Sequence, residues 1–160
     1  NIQYVHEEEP LGTGGALGLL PHDEIDQPLF MMNGDLLTSL NLHSFLEFHE
    51  THNGVATMCV REYEHQVPYG VITSEGTQIK SMVEKPVHRF FVNAGIYLLD
   101  PALVKSVEPD TRIDMPTLLE RQIDGGNAVN MFPIHEYWLD IGRMDDFHKA
   151  QTEVQDRLNG

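Results

Sequence analysis

Residues 29–38, LFMMNGDLLT, open with four apolar residues and then break at Asn33-Gly34-Asp35. The pattern predicts a buried strand that stops abruptly and presents the Asp35 carboxylate at its C-terminal end. In open α/β sheets, ligands bind outside the carboxyl ends of the strands. An aspartate after a strand is more often a turn residue or a helix cap, so the rest of the chain must decide the role of Asp35.

Segments of strand and helix character alternate through the rest of the chain. Asn41 is a suitable N-cap for a helix that carries Phe45 and His49 on one face. Asp114 is a suitable N-cap for a second helix, and Gly125-Gly126 would end that helix. Further strands are expected at residues 2–6, 55–60, 92–99, 129–133 and 137–141, and further helices at residues 102–107 and from about residue 143.

A hairpin is expected in the middle of the chain, where residues 69–74 and 78–84 flank Glu75-Gly76-Thr77. The charged residues 61–68 before it are expected to form a loop. Strand–helix alternation combined with a hairpin indicates an α/β fold in which helices flank a mixed sheet. The chain of 160 residues is long enough for one domain with a substantial core.

Composition excludes several classes of protein. The chain has 10 basic and 25 acidic residues, and its net charge of −15 repels the phosphates of nucleic acids. It has no apolar run long enough to span a bilayer and no signal peptide, so a membrane protein is not expected. The single cysteine, Cys59, is interpreted as a small core residue and fits a reducing, cytoplasmic setting. Nine histidines show no metal-ligand spacing, and His49 and His52 are expected at the surface.

Two of the predicted strands end in an aspartate close to a glycine. Asp35 follows Gly34, and Asp140 precedes Ile141-Gly142. Carboxylates from two strand ends can share one Mg²⁺ ion, which prefers oxygen ligands and is usually held by one or two carboxylates plus substrate phosphates. Spacing alone does not pair these two residues.

Two further segments could contact a ligand. In Glu84-Lys85-Pro86, Lys85 could meet a phosphate and Glu84 could accept from sugar hydroxyls, although an exposed ion pair is the commoner meaning of such neighbours. The glycine-rich residues 11–20, LGTGGALGLL, allow close approach of an anion or a nucleotide. They also suit a tight turn that packs a helix on a sheet.

Taken together, six motifs resemble the sugar-1-phosphate nucleotidyltransferase family, whose members join a nucleoside triphosphate to a sugar 1-phosphate and release pyrophosphate. Each motif alone is weak, but the six in the family's order are specific and cover nearly the whole chain. In chain order they are Leu11-Gly12-Thr13-Gly14-Gly15-Ala16, Asn33-Gly34-Asp35, Tyr69-Gly70-Val71-Ile72, Val83-Glu84-Lys85-Pro86, Asn93-Ala94-Gly95-Ile96-Tyr97 and Trp138-Leu139-Asp140-Ile141-Gly142.

The resemblance implies a nucleotide side and a metal position. Gly12 and Thr13 would lie against the base, and Gly34 would belong to the same nucleotide-binding group. Asp35 and Asp140 would hold Mg²⁺ between them and would count among the catalytic residues.

The resemblance also implies a sugar side. Gly70, Glu84 and Asn93 would hold the sugar. Lys85 would meet the phosphate of the sugar 1-phosphate and would be the third catalytic residue. Positioning and charge neutralisation would supply most of the catalysis.

One part of the family pattern is missing from this sequence. The family opens with a strand and a glycine-rich loop that holds an arginine, followed by Pro-Lys, and this segment grips the triphosphate. Here every basic residue lies at or after Arg61, and only Lys85 falls in a matched motif. We therefore expect an N-terminally truncated, partial nucleotide-diphospho-sugar transferase (Rossmann-like) domain over residues 1–160, inactive or nearly so alone, with an enzyme as its parent. The strand at residues 29–32 would then lie inside a sheet whose first strands are absent.

Several alternatives stay open at this point. The GTGGAL form, Ile113-Asp114-Met115-Pro116 and the Trp-Leu-Asp-Ile-Gly motif look closest to mannose-1-phosphate guanylyltransferase-like members, and the glucose-1-phosphate thymidylyl- and uridylyltransferases share most of these features. A catalytically silent regulatory or sugar-nucleotide-binding homologue and a metal-dependent glycosyltransferase are the rival functions. The base, the sugar and the oligomeric state are not fixed by the sequence.

Overall fold

The computed structural model describes residues 2–142, so the helix expected from about residue 143 lies outside the described residues. Short 3-10 turns occupy Ala16–Leu19 and His22–Glu24. The helices of the described chain are α1 (Gly12–Gly15), α2 (Leu42–Thr51), α3 (Pro101–Lys105) and α4 (Met115–Asp124). Its strands are β1 (Leu29–Met32), β2 (Leu36–Thr38), β3 (Ala56–Gln66), β4 (Val71–Glu75), β5 (Gln78–Val83), β6 (Val87–Leu99), β7 (Val129–Pro133) and β8 (Trp138–Asp140).

The main sheet has the strand order β1–β6–β3–β7. Strand β6 pairs antiparallel with β1 and with β3, whereas β3 pairs in parallel with β7. Two small antiparallel ladders, β2–β8 and β4–β5, complete the described strands. The expected α/β architecture with a mixed sheet and flanking helices is therefore confirmed.

Strand β6 separates two apolar clusters that lie on opposite faces of the sheet. Tyr97 and Leu99 belong to the first cluster, together with buried side chains of α3 and α4. Ile96 and Leu98 belong to the second, together with Phe45 of α2. This follows from the period-2 alternation of side chains along a strand. Burial on both faces holds the C-terminal half of β6 in one position, from which the site is built.

Helix α2 begins as the sequence predicts, but its histidine does not behave as expected. The Asn41 side chain accepts hydrogen bonds from two amides of the first turn. His49 is only 4% exposed, so the prediction of a surface residue was wrong. Its Nδ1 lies 2.8 Å from Thr57 Oγ1 and its Nε2 lies 3.2 Å from Asp100 Oδ1. These partners allow its burial, because both ring nitrogens are satisfied.

Three further sequence predictions need correction. Residues 2–6 form no strand and are exposed, because no strand of the described chain pairs with them. Residues 61–66, expected in a loop, continue β3, because its ladder with β6 runs on to Gln66. Strand β1 is not fully buried: within the described sheet it lies at an edge, and Met32 is 52% exposed.

Beyond the core, the chain extends an arm that consists of residues 61–66, residues 87–92 and the β4–β5 hairpin. The hairpin is confirmed, with Gly76 at the positive φ that its turn requires. Every residue of β4 and β5 is exposed. Among residues 2–142, no helix combines the length and the hydrophobicity needed to cross a bilayer.

Cys59 is buried in the second cluster, as predicted for a small core residue. Burial, with a smaller contribution from the Glu136 carboxylate, raises the pKa of its thiol from 9.0 to about 12. At pH 9 the thiol of the folded chain should therefore react with an aromatic disulfide reagent about 100-fold or more slowly than that of the urea-unfolded chain, because only the thiolate attacks.

The same measurement gives the pH dependence. Between pH 7 and 10 the folded chain should react more slowly than the unfolded chain at every pH. Its rate should still be rising at pH 10, where the rate of the unfolded chain levels off. Equal rates for the folded and unfolded chains at pH 9 would contradict the burial of Cys59.

Candidate active site

The site is organised around an irregularity in β6. The β3–β6 ladder loses its regular register between the pairs Met58↔Tyr97 and Val60↔Asn93, which leaves extra residues on β6. Asn93 closes this bulge with its own side chain: its Oδ1 accepts from Gly95 N at 2.8 Å, and its Nδ2 donates to Tyr97 Oη at 2.7 Å. The bulge therefore has a fixed shape, because the asparagine bridges both sides of it.

Two other motifs attach to this bulge. Asn33 N donates to Gly95 O at 2.9 Å, and the Asn33 side chain would meet a Cβ at Gly95 only 2.7 Å away. Gly95 also has φ +70°, so both space and backbone conformation require glycine there. On the other side, Trp138 Nε1 donates to Ala94 O at 2.8 Å. The bulge thus ties the turn after β1 to strand β8.

Asp35 and Asp140, predicted as a pair from the family order, do lie together. Strands β2 and β8 place Leu36 opposite Asp140, and Ile141 N donates to Asp35 O at 2.9 Å. A Cβ at Gly142 would lie 3.0 Å from Asp35 Oδ2 and 3.1 Å from Asp140 Oδ1. The two carboxylates therefore approach the same space beside Gly142, which a side chain at this position would occupy.

This arrangement fits a magnesium ion held with substrate. Within residues 2–142, no group of three carboxylate, histidine or cysteine side chains comes together. Two converging carboxylates are nevertheless the usual protein contribution to a Mg²⁺ site, in which substrate phosphates and waters supply the other oxygen ligands. The open space around Gly34, where an added Cβ would meet nothing within 4 Å, leaves room beside the pair.

Three of the predicted sugar-side residues form a second group, the arm group, at the open end of the β4–β5 hairpin: Gly70, Glu84 and Lys85. The fourth, Asn93, lies apart from them in the bulge of β6. Glu84 Oε2 would lie 3.0 Å from a Cβ at Gly70, so the glycine makes room for the carboxylate. Lys85 N donates to Tyr69 O at 3.3 Å, and Val67 N donates to Pro86 O at 3.0 Å. These bonds hold the Glu84-Lys85-Pro86 segment against the chain that enters β4.

Lys85 itself has an unusual backbone conformation. Its φ is +44°, which is uncommon outside glycine and tends to occur at functional sites. Two other cations of the arm are paired with carboxylates, since Lys80 lies 2.8 Å from Glu75 and Arg89 lies 2.6 Å from Glu64. A third, Arg61, donates to Glu136 O at 3.4 Å and lies over the Trp138 ring. Within the described residues the Lys85 ammonium group has no carboxylate partner, so it is available to an anion.

The glycine-rich segment forms a third group, at the start of α4. Residues 12–19 wind into α1 and a 3-10 turn. Thr13 N donates to Asp114 Oδ1 at 3.0 Å, and Met115 N donates to Thr13 Oγ1 at 2.9 Å. Gly12 lies against the same carboxylate, at φ +80°.

The structure thus joins some of the predicted residues and leaves others apart. Asp35 lies with Asp140, and Gly70 lies with Glu84 and Lys85, but within residues 2–142 no hydrogen bond or ion pair joins the arm group to the aspartate pair. The functional roles of all these residues, including Asn93, Gly12 and Thr13, stay predictions.

Sequence reasoning missed the part that Gly142 plays. Its sequence signal, a glycine two residues after Asp140, was visible, but its contact with Asp35 depends on the β2–β8 pairing. The Trp138 contact with Ala94 was likewise not visible, because it joins residues that are 44 positions apart.

Comparison with known proteins identifies the family. The profile of the nucleotidyl transferase family matches residues 1–157. The chain belongs to this family.

Two curated proteins that resemble this chain are both named as mannose-1-phosphate guanylyltransferases. Probable mannose-1-phosphate guanylyltransferase 3 of Arabidopsis thaliana is 35% identical over 157 residues, which cover 94% of this chain and 47% of that protein. Mannose-1-phosphate guanyltransferase of Yarrowia lipolytica is 36% identical over 159 residues, which cover 92% of this chain and 42% of that protein. The chain spans less than half the length of these relatives.

Solved structures agree on the fold. HddC from Yersinia pseudotuberculosis superposes with a TM-score of 0.64 at 25% identity, covering 92% of this chain and 64% of that one. A putative glucose-1-phosphate thymidylyltransferase from Bacillus anthracis, crystallised with sucrose, gives a TM-score of 0.68 at 20% identity, covering 96% and 65%. The expected Rossmann-like nucleotidyltransferase fold is therefore confirmed.

The substitution Gly142→Ala tests whether the two aspartates act as one cation site. The added Cβ would lie 3.0 Å from Asp35 Oδ2 and 3.1 Å from Asp140 Oδ1, so both carboxylates would have to shift outwards slightly and the space between them would be filled. Mn²⁺, which accepts the same oxygen ligands, should bind the variant about threefold or more weakly than the wild-type chain, as measured by water-proton relaxation.

Gly125→Ala is the matched control. Gly125 ends α4, and its added Cβ would meet Arg121 O at 3.3 Å. Unchanged Mn²⁺ affinity in Gly142→Ala, or an equal loss in both variants, would contradict a shared site at the aspartate pair.

Proposed function

We propose that this chain is the sugar-phosphate-binding and metal-binding part of an enzyme that transfers a nucleotidyl group to a sugar 1-phosphate. The product is a nucleoside diphosphate sugar, and pyrophosphate is released. The observation that carries the proposal is the convergence of Asp35 and Asp140 on Gly142. Asp140 Oδ1 also accepts from Gly142 N at 2.9 Å, so one of the two carboxylates has a structural partner as well, and activity measurements must separate the enzyme from a catalytically silent homologue.

In the proposed reaction, a phosphate oxygen of the sugar 1-phosphate attacks the α-phosphorus of the triphosphate. The bond from that phosphorus to the bridging oxygen breaks, and pyrophosphate leaves. Mg²⁺ held by Asp35 and Asp140 would supply charge neutralisation at the phosphates. The chain's own contribution is to orient the reacting groups and to place a cation beside them.

Lys85 is the proposed partner of the attacking phosphate. Its ammonium group has no carboxylate partner within the described residues, and its backbone is held by Tyr69 and by the neighbouring segment. Glu84 beside Gly70 would accept from the sugar hydroxyls. Asn93 would add a polar contact from the bulge, although its Oδ1 and one amide hydrogen are already bound to Gly95 and Tyr97.

The nucleotide side is proposed to use Gly12, Thr13 and Gly34. A triphosphate carries more negative charge than Lys85 and one metal ion can neutralise, and no basic residue precedes Arg61. We therefore propose that further cationic groups come from chain outside the present sequence, in line with the 47% coverage of the Arabidopsis relative. Among the strands of residues 2–142, β1 pairs on one side only, and its other edge is a suitable place for an additional strand.

The proposed substrates are taken from the names of the two curated relatives. Both are named for mannose 1-phosphate and a guanylyl group, so GTP and mannose 1-phosphate are the proposed first pair of substrates. A cytoplasmic location is proposed from the buried Cys59 thiol, which suits a reducing compartment. A metal-dependent glycosyltransferase is the alternative that the assay must separate.

The test uses the longest natural polypeptide that contains this chain. With Mg²⁺, GTP and mannose 1-phosphate it should release pyrophosphate, whereas the isolated 160-residue chain should release little or none. Asp35→Asn and Asp140→Asn should each lower kcat by about 100-fold or more, since each removes a charge that holds the metal. Lys85→Ala should raise KM for the sugar 1-phosphate.

The control is Lys105→Ala, which removes a lysine from α3, outside the three groups of the site, and should leave the kinetics unchanged. Transfer of sugar from a nucleoside diphosphate sugar, without consumption of a sugar 1-phosphate, would favour the glycosyltransferase instead. Pyrophosphate release by both aspartate variants at the wild-type rate would refute the metal role.

A further inference from the structure

Helix α4 begins with an aspartate that does not cap its own helix. Asp114 occupies the N-cap position, yet its side chain accepts no hydrogen bond from the amides of the first turn. Its Oδ1 instead accepts from Thr13 N at 3.0 Å, and Thr13 Oγ1 lies 3.5 Å from the same oxygen. The two residues are 101 positions apart in the chain.

The Thr13 side chain provides the helix cap that Asp114 does not. Its hydroxyl oxygen accepts from Met115 N at 2.9 Å, so a residue of the glycine-rich segment caps α4 in place of Asp114. Backbone bonds on both sides reinforce the contact: Gly14 N donates to Ile113 O at 2.9 Å, and Ile113 N donates to Leu11 O at 2.8 Å. The glycine-rich segment and the start of α4 are therefore joined by reciprocal hydrogen bonds.

Gly12 shows how closely the carboxylate approaches this segment. A Cβ at Gly12 would lie 2.7 Å from Asp114 Oδ1 and 2.8 Å from Ile113 O, and the residue has φ +80°. Only glycine fits both the space and the conformation. The Asp114 carboxylate thus contacts the turn at the two residues proposed to face the nucleotide.

These contacts also limit what Thr13 can offer a ligand. Its N–H donates to Asp114 Oδ1, and its hydroxyl accepts from Met115 N while donating to the same carboxylate oxygen at 3.5 Å. Neither donor is therefore free to read a base. Recognition would depend on the shape of the turn and on its remaining backbone groups. That shape depends on the acceptor that Asp114 provides.

We propose that Asp114 is a positioning residue of the nucleotide site, which holds Gly12 and Thr13 in the conformation that receives the base. The inference rests on the proposed nucleotidyl transfer. It differs from a plain capping role, in which loss of Asp114 would lower stability and leave nucleotide affinity unchanged.

The experiment compares three variants of the longest natural polypeptide that contains this chain. Asp114→Ala removes the acceptor. Asp114→Asn keeps an Oδ1 that can accept from Thr13 N. Asn41→Ala removes the N-cap of α2, where the side chain accepts two amide hydrogen bonds, and so provides a loss of helix capping away from the site.

In Asp114→Ala, KM for the nucleoside triphosphate should rise about tenfold, the equivalent of about 1.4 kcal/mol. Its kcat and its KM for the sugar 1-phosphate should change less than about twofold, which marks a loss of ground-state binding. Asp114→Asn should stay within about threefold of the wild type. Asn41→Ala should lower the melting temperature without changing either KM.

Thr13→Val is the second variant, in case Asp114→Ala does not fold. It removes the hydroxyl that caps α4 and keeps the Thr13 N–H contact, so KM for the triphosphate should rise less than in Asp114→Ala. Equal triphosphate KM in Asp114→Ala, Asn41→Ala and the wild type would overturn the proposal. If the wild type is active and these KM values are equal, only the role of Asp114 is refuted and the proposed nucleotidyl transfer stands. If the wild type neither transfers a nucleotidyl group nor binds a nucleotide, both proposals are refuted.

Discussion

The bulge in β6 is the constraint on which the arrangement of the site depends. Asn93 closes it through Gly95 N and Tyr97 Oη, and the buried residues that follow on β6 keep it from shifting. Asn33 and Trp138 then bind its backbone from opposite sides. A Cβ at Gly95 would lie 2.7 Å from the Asn33 side chain, which together with φ +70° explains why this position holds a glycine.

The position of the aspartate pair depends on this bulge. The turn after β1 carries the chain into β2, which pairs with β8 and brings Asp35 next to Asp140. Like charges this close repel each other, so the pair is most favourable with a cation between them. The rest of the chain is also acidic, with a net charge of −15. In the proposed reaction, a divalent cation and Lys85 would therefore supply positive charge to the substrate phosphates.

The sequence predicted those helix caps and turns that depend only on residues close together in the chain. Asn41 caps α2 by itself, and the β4–β5 turn follows from Gly76, so both were visible. The burial of His49 was not, because it depends on Thr57 and Asp100 from other elements. Residues 61–66 were predicted as a loop because their charged side chains are typical of loops. They form a strand because they pair with β6. The family order suggested the pairing of Asp35 with Asp140, whereas Gly142 and the Asp114–Thr13 contact required the structure.

The most direct test of this account is a crystal structure of the longest natural polypeptide that contains the chain, grown with Mn²⁺ and a nucleoside diphosphate sugar. Anomalous scattering at the manganese edge locates the cation independently of the protein density. We expect a peak that contacts the carboxylates of both Asp35 and Asp140 and a phosphate oxygen of the ligand. A peak that contacts neither aspartate, with the sugar nucleotide bound elsewhere on the protein, would contradict it.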